Sequence, residues 1–120
     1  IFGPRQNSWD GVKIGITGPP IKTKKGWLLL YHAISRVHHT YRVGAALLDL
    51  KDPTIVLSRS ADPIFEPEEI YEKVGLVNNV VFPCGMVLCD GLLYVYYGGA
   101  DQVCGVATIK LDILLNALTR

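Results

Sequence analysis

The chain has 120 residues, enough for one ordinary domain with a modest core. Apolar residues make up 49% and charged residues 19%, a balance that fits a globular chain and excludes disorder. The formal charge is +1, with Lys and Arg scattered rather than striped, so no nucleic-acid partner is expected.

Residues 1–10 read as irregular, because Gly3, Pro4, Asn7 and Ser8 favour a loop. Val12–Thr17 reads as a strand ended by Gly18-Pro19-Pro20. Ile21–Thr23, a turn at Lys24-Lys25-Gly26, and Trp27–Ile34 read as a hairpin. Tyr41–Leu50 is a third strand and the β-branched Thr54–Ser60 a fourth, separated by a turn at Lys51-Asp52-Pro53. Glu66–Val74 is the acidic stretch, and Pro67 ahead of Glu68 and Glu69 suits a single helical turn in a solvated connector. Val80–Phe82 and Met86–Cys89 are short strands, and Asp90-Gly91 is a strong hairpin signal. Leu92–Tyr97 pairs back, Gly98-Gly99-Ala100-Asp101 turns, and Gly105–Leu111 returns. Asp112 can then cap a helix over about 113–118.

One pattern occurs twice in this order. Gly26-Trp27-Leu28-Leu29-Leu30-Tyr31-His32 lines up with Gly91-Leu92-Leu93-Tyr94-Val95-Tyr96-Tyr97, at an offset of 65 residues. Gly44–Leu50 lines up with Gly105–Leu111 at an offset of 61. Such a period points to β-propeller blades or stacked sheets, not to a helical solenoid. The repeated strands are continuously apolar, as expected where both faces are covered. The expected fold is therefore all-β, with two four-stranded antiparallel units over about 12–60 and 78–111. Two blades cannot close a ring, so completion by further blades or self-association is expected.

The longest apolar runs, Trp27–Tyr31 and Ile113–Leu115, are too short to span a membrane as helices. No basic segment followed by an apolar one opens the chain, and the start at Ile1 leads us to expect sequence upstream. Cys84, Cys89 and Cys104 are an odd set without CxxC spacing, and His32, His38 and His39 have no partner cysteines at zinc spacing, so no metal site is expected. Buried or semi-buried free thiols in a reducing, cytoplasmic setting are expected, with a Cys84–Cys89 bridge as the alternative.

No P-loop, GxGxxG, nucleophile elbow or HExxH is present. The candidates are polar residues near strand ends. Lys22 follows a rigid Pro19-Pro20 segment that could aim its ammonium at an anion. Tyr31 and His32 end one strand and point to opposite faces, as do Tyr41 and Arg42 at the start of the next. Arg42 carries a fork suited to phosphate or carboxylate. Tyr96-Tyr97-Gly98-Gly99-Ala100-Asp101 sets aromatic rings beside a carboxylate, a pairing common in sugar sites, although Asp101 also suits a turn.

In order, Trp9–Gly15, Pro19–Thr23, Gly26–His32, Tyr41–Asp49, Asn79–Gly85 and Tyr96–Asp101 resemble glycoside hydrolase family 130, the β-mannoside phosphorylases and related mannosidases. The resemblance implies a five-bladed β-propeller with its active site in the central channel, of which this chain is a C-terminal portion of about two blades plus a helix. It implies that inorganic phosphate attacks a β-mannoside as an aspartate protonates the leaving oxygen, giving α-mannose 1-phosphate with inversion. On the matching motifs, Lys22 and His32 would bind phosphate, and Tyr41, Arg42 and Asp101 would bind substrate. No cofactor beyond phosphate as co-substrate is implied. The family's acid and its paired phosphate-binding arginines belong to earlier blades, so no catalytic residue is expected here and neither Asp10 nor Asp101 takes the acid role. Keeping Lys22 and His32 favours phosphorolysis over an inverting β-mannosidase. The alternative of another class is a non-catalytic, sugar-binding or self-assembling half-propeller.

Overall fold

A computed structural model describes residues 1–35 and 40–119. Eight strands and two short helices follow in the order β1 (Lys13–Ile16), β2 (Ile21–Thr23), β3 (Gly26–Ile34), β4 (Tyr41–Leu48), β5 (Val56–Arg59), α1 (Ile70–Lys73), β6 (Val81–Cys89), β7 (Leu92–Gly99), β8 (Val103–Lys110) and α2 (Leu111–Leu118). They form two antiparallel sheets, as expected for two blades. In the first, β3 pairs with β4 and β4 with β5, while β1 and β2 share the other side of β3. The Gly18-Pro19-Pro20 break splits that outer strand in two, since proline donates no ladder hydrogen bond.

The second sheet has three strands, β6-β7-β8, where four were expected. Residues 80–82 and 86–89 are not separate strands. They belong to β6, whose register slips between Pro83 and Gly85. The bulge absorbs Pro83 on an edge strand, where a missing N–H costs least. Asp90 and Gly91 both take positive φ and close the β6–β7 hairpin, as expected. The following turn comes later than the reading placed it. Gly98 and Gly99 remain in β7, and the reversal is made by Ala100 and Asp101, both at positive φ, with Gln102 N donating to Gly99 O at 3.0 Å.

Alternation along each strand gives the first sheet two buried faces. Leu28, Leu30, Val43, Ala45 and Leu47 face the second sheet and pack against Val81, Leu93, Val95 and Tyr97. Leu29, Tyr31, Ala33, Ala46 and Leu48 form the rear face, covered in part by Phe2 and Trp9 of the N-terminal segment. Helix α2 starts two residues earlier than expected. Asp112 lies in its first turn, and the N-cap position falls to Lys110 with no side-chain cap. Leu114, Leu115 and Leu118 insert into the core between the sheets. Ser58 Oγ donates to Leu118 O, and Lys25 Nζ donates to Asn116 Oδ1 at 3.2 Å.

The three cysteines are free, which removes the Cys84–Cys89 alternative. All three are exposed, contrary to the expectation of burial, because the bulge and alternation of β6 and β8 turn them away from the core. Among the described residues no helix is long and apolar enough to cross a membrane. His38 and His39 lie outside the described residues.

Candidate functional site

The polar end of the first sheet gathers Lys13, His32 and Tyr41. Gly15 lies opposite His32, Lys13 opposite Ile34, and Ile34 opposite Tyr41, which puts all these side chains on the face turned to the second sheet. The Lys13 ammonium stands 5.5 Å from the centre of the Tyr41 ring. Phe82, from the start of β6, closes the group, with its ring centre 4.2 Å from that of His32 and 5.5 Å from that of Tyr41. His32 has room only because residue 15 is glycine: a Cβ there would come within 2.5 Å of the imidazole Cε1. Burial, and after it the charge of Lys13, hold His32 below the ordinary 6.5. Its Nδ1 is buried with no hydrogen-bond partner among the described residues. A cation, a phenol and an imidazole with spare hydrogen-bonding capacity thus converge at one spot.

The remaining candidates lie elsewhere. Lys22 is opposite Trp27, on the rear face and five residues along β3 from His32, so the two are not brought together. The break at Pro19-Pro20 restarts the outer strand further along β3, which is what separates them. Arg42 opposes Ala33 on the rear face, and its Nε donates to Glu66 Oε2 at 2.8 Å. Asp101 is exposed at the tip of the β7–β8 turn. Val80 links that turn to the first sheet: it bridges Tyr41 in parallel fashion, and its carbonyl accepts from Ala100 N at 2.8 Å.

Two buried carboxylates escaped the sequence reading as structural features. Asp10 is fully buried, and both its oxygens accept from Arg5 Nε at 3.1 Å. Its Oδ2 also accepts from Arg5 Nη2 and Arg59 Nη2 at 2.8 Å and from Tyr31 Oη at 3.1 Å. Burial alone would raise the Asp10 carboxyl, but Arg5, Tyr31 and Arg59 together hold it below the usual carboxylate range. A group kept ionised in this way does not serve as a proton donor. Glu66–Val74 is otherwise largely exposed, as expected of a solvated connector, but Glu72 is the exception at 1% exposed. Its Oε1 accepts from Glu68 N at 2.9 Å and Glu69 N at 3.0 Å, closing a capping box on α1, and its Oε2 accepts from Tyr97 Oη.

These carboxylates reveal the repeat in three dimensions. Tyr31 donates to Asp10 and lies over Gly44, and Tyr97 donates to Glu72 and lies over Gly105. The pairing Tyr31↔Gly44 therefore corresponds to Tyr97↔Gly105. The equivalent tyrosines are 66 residues apart, one more than the sequence alignment gave, and the glycines 61. The extra residue restores the face: Tyr31 and Tyr97 both point back along the chain, toward the segment that precedes their own sheet.

Two antiparallel sheets with a cationic and aromatic cluster at one end define an all-β protein whose sheets are consistent with partial propeller blades. The sequence profile of glycoside hydrolase family 130, described as beta-1,4-mannooligosaccharide phosphorylase, matches residues 1–120, and the chain belongs to that family. It is 52% identical over 111 residues to a 1,2-beta-oligomannan phosphorylase of Thermoanaerobacter sp. (strain X514), spanning 92% of this chain and 37% of that protein. It superimposes with a TM-score of 0.94 on a beta-1,2-mannobiose phosphorylase from Listeria innocua in complex with beta-1,2-mannobiose, at 43% identity over 98% of this chain and 33% of that one. A second structure is described as showing that this family of mannoside phosphorylases contains glycoside hydrolases that target beta-1,2 mannosidic linkages in Candida mannan. It matches with a TM-score of 0.83 and 34% identity over 92% of this chain and 33% of that one. The chain thus spans about a third of the length of its relatives.

Proposed function

We propose that this chain forms one wall of the active site of a β-mannoside phosphorylase, in which inorganic phosphate cleaves a β-mannoside to α-mannose 1-phosphate with inversion. The observation that carries this reading is the convergence of Lys13, His32 and Tyr41, with a buried imidazole nitrogen lacking a partner. A phosphate dianion supplies what that arrangement lacks: negative charge for Lys13 and acceptor oxygens for His32 and Tyr41. A hydrolase, which activates water, has no use for a cation at that spot. In this reading Lys13 takes the cationic role that the motif reading gave to Lys22, because Lys13 and not Lys22 faces His32.

Asp101, on the β7–β8 turn, binds sugar hydroxyls, and Arg42, tied to Glu66 on the rear face, does not touch phosphate. The general acid comes from outside these residues, since Asp10 is buried beneath two arginines. Three of the similar proteins carry β-1,2 in their descriptions, which favours a β-1,2-linked mannoside over a β-1,4-linked one. The propeller is completed by blades beyond this chain. The test is release of mannose 1-phosphate from β-1,2-mannobiose with and without phosphate, using the whole protein that carries these residues. Phosphate-dependent release supports the reading, and phosphate-independent release of free mannose replaces it with the mannosidase. Lys13→Met is expected to raise the phosphate KM at least about tenfold, through loss of one charge-assisted contact.

A further inference from the structure

The connector between the sheets contains a buried acid that the chemistry above does not use. Burying a carboxylate is costly unless its oxygens are hydrogen-bonded, and an apolar side chain would fill the same space more cheaply. Glu72 is nevertheless buried, and its partners place it at a junction. One oxygen gathers the backbone amides of Glu68 and Glu69, and the other takes the Tyr97 hydroxyl, itself 3.1 Å from the Tyr71 hydroxyl. Tyr97 is two residues before Gly99, whose missing side chain lets β7 run against Tyr71 O and Glu72 Cγ.

The same connector reaches the β7–β8 turn through its backbone. Val80 N donates to Glu72 O at 3.0 Å, Ala100 N donates to Val80 O at 2.8 Å, and Val77 N donates to Ala100 O at 3.0 Å. Gly75 abuts Ala100 so closely that a Cβ at Gly75 would lie 2.7 Å from that of Ala100. Ala100 and Asp101 hold left-handed φ values of 48° and 56°, a conformation that costs a non-glycine residue roughly 1–2 kcal/mol and persists only where surroundings impose it. The connector is what surrounds the turn. Through Val80 it also bridges Tyr41 of the first sheet.

We propose that Glu72 and Tyr97 are positioning residues: their hydrogen bond locks the Glu66–Val80 connector, and the connector holds the strained Ala100-Asp101 turn so that the Asp101 carboxylate is fixed relative to Tyr41. The role in sugar binding rests on the functional reading above, whereas the mechanical link does not. Burial and the Glu72 contact both push the Tyr97 phenol above its ordinary range, so it remains the donor throughout the working pH range.

Tyr97→Phe in the whole protein tests both parts, with Glu72→Gln as a near-isosteric second variant should the first fail to fold. Amide hydrogen exchange reads the link. Exchange at Ala100 is expected to quicken about tenfold or more relative to amides of the β3–β4 ladder. Unchanged exchange at Ala100 in a folded variant overturns the proposal. Steady-state kinetics reads the positioning: the mannoside KM is expected to rise about tenfold while the phosphate KM stays within about twofold. Faster exchange with an unmoved mannoside KM, or both KM values rising together, overturns the sugar-positioning role. Should the wild-type protein cleave no mannoside, the functional reading fails, and the exchange experiment still decides the link.

Discussion

Replacing Asp10 by Asn would leave Arg5 and Arg59 without their shared counter-ion, under a sheet face where water does not reach Asp10. Breaking a buried pair costs about 3–5 kcal/mol, and because Arg5 is partly exposed we expect about 2–3 kcal/mol, read as a shift of the urea midpoint. The acid branch follows from the depressed carboxyl. Its contribution is whole above the unfolded value of 3.8 and is lost as pH falls through the lower folded value, so wild type and Asp10→Asn should converge in stability in strong acid. His32 is also held below its unfolded 6.5. There the unfolded chain takes up the proton first, so stability falls as pH drops below about 6.5 and levels off below the folded value. Gly15→Ala would drive a methyl group into the imidazole and cost about 1–3 kcal/mol by overpacking. With the ring displaced from Phe82 and Lys13, NMR titration should show the His32 pKa returning toward 6.5. An unshifted titration curve would mean that the close approach does not set the ring position.

At the scale of elements, what was legible depended on how local the signal is. The Asp90-Gly91 hairpin was readable because positive φ at two successive positions is a property of those residues. The β6 bulge was not, since joining residues 80–82 to 86–89 depends on β7 lying alongside both. The start of α2 was missed for a similar reason: Leu111 N finds its acceptor on Gly91, across the sheet. The helix fills the side of the inter-sheet core nearest β4 and β8 through its leucines. Leu115→Ala should therefore cost about 2–4 kcal/mol by cavity formation, while Ile113→Ala, on the exposed side, should stay within about 0.5 kcal/mol. Equal costs in chemical denaturation would show that α2 does not dock as described. The acidic composition of Glu66–Val74 correctly marked a solvated connector, but composition carries no information about which single carboxylate, Glu72, is enclosed.

At the scale of the whole molecule, the two sheets do not satisfy each other completely. The radius of gyration of 13.9 Å is close to the ~13.6 Å of a compact chain of this length, so the pair is well packed. Yet the far face of the second sheet exposes Val87, Tyr96 and Val106, the latter two at 51% each. By the repeat, this face corresponds to the side of the first sheet that the second sheet covers, and the proposed completion places a further blade there. A 120-residue chain expressed alone should accordingly self-associate through it. Tyr96→Lys with Val106→Glu should shift sedimentation toward the monomer, and an unchanged distribution would locate the contact elsewhere.

The amino-acid sequence by itself determined the all-β class, the order of the elements, the doubled unit and the family. Alternation, turn chemistry and motif order are written in neighbouring residues and survive without knowledge of the partners. Only the tertiary structure decided which side chains meet. It put Lys13 rather than Lys22 beside His32, turned Arg42 to the rear face, and buried Asp10 and Glu72 under the two equivalent tyrosines. Each of those outcomes depends on register between strands distant in sequence, and a shift of one residue there moves a side chain to the opposite face of the sheet.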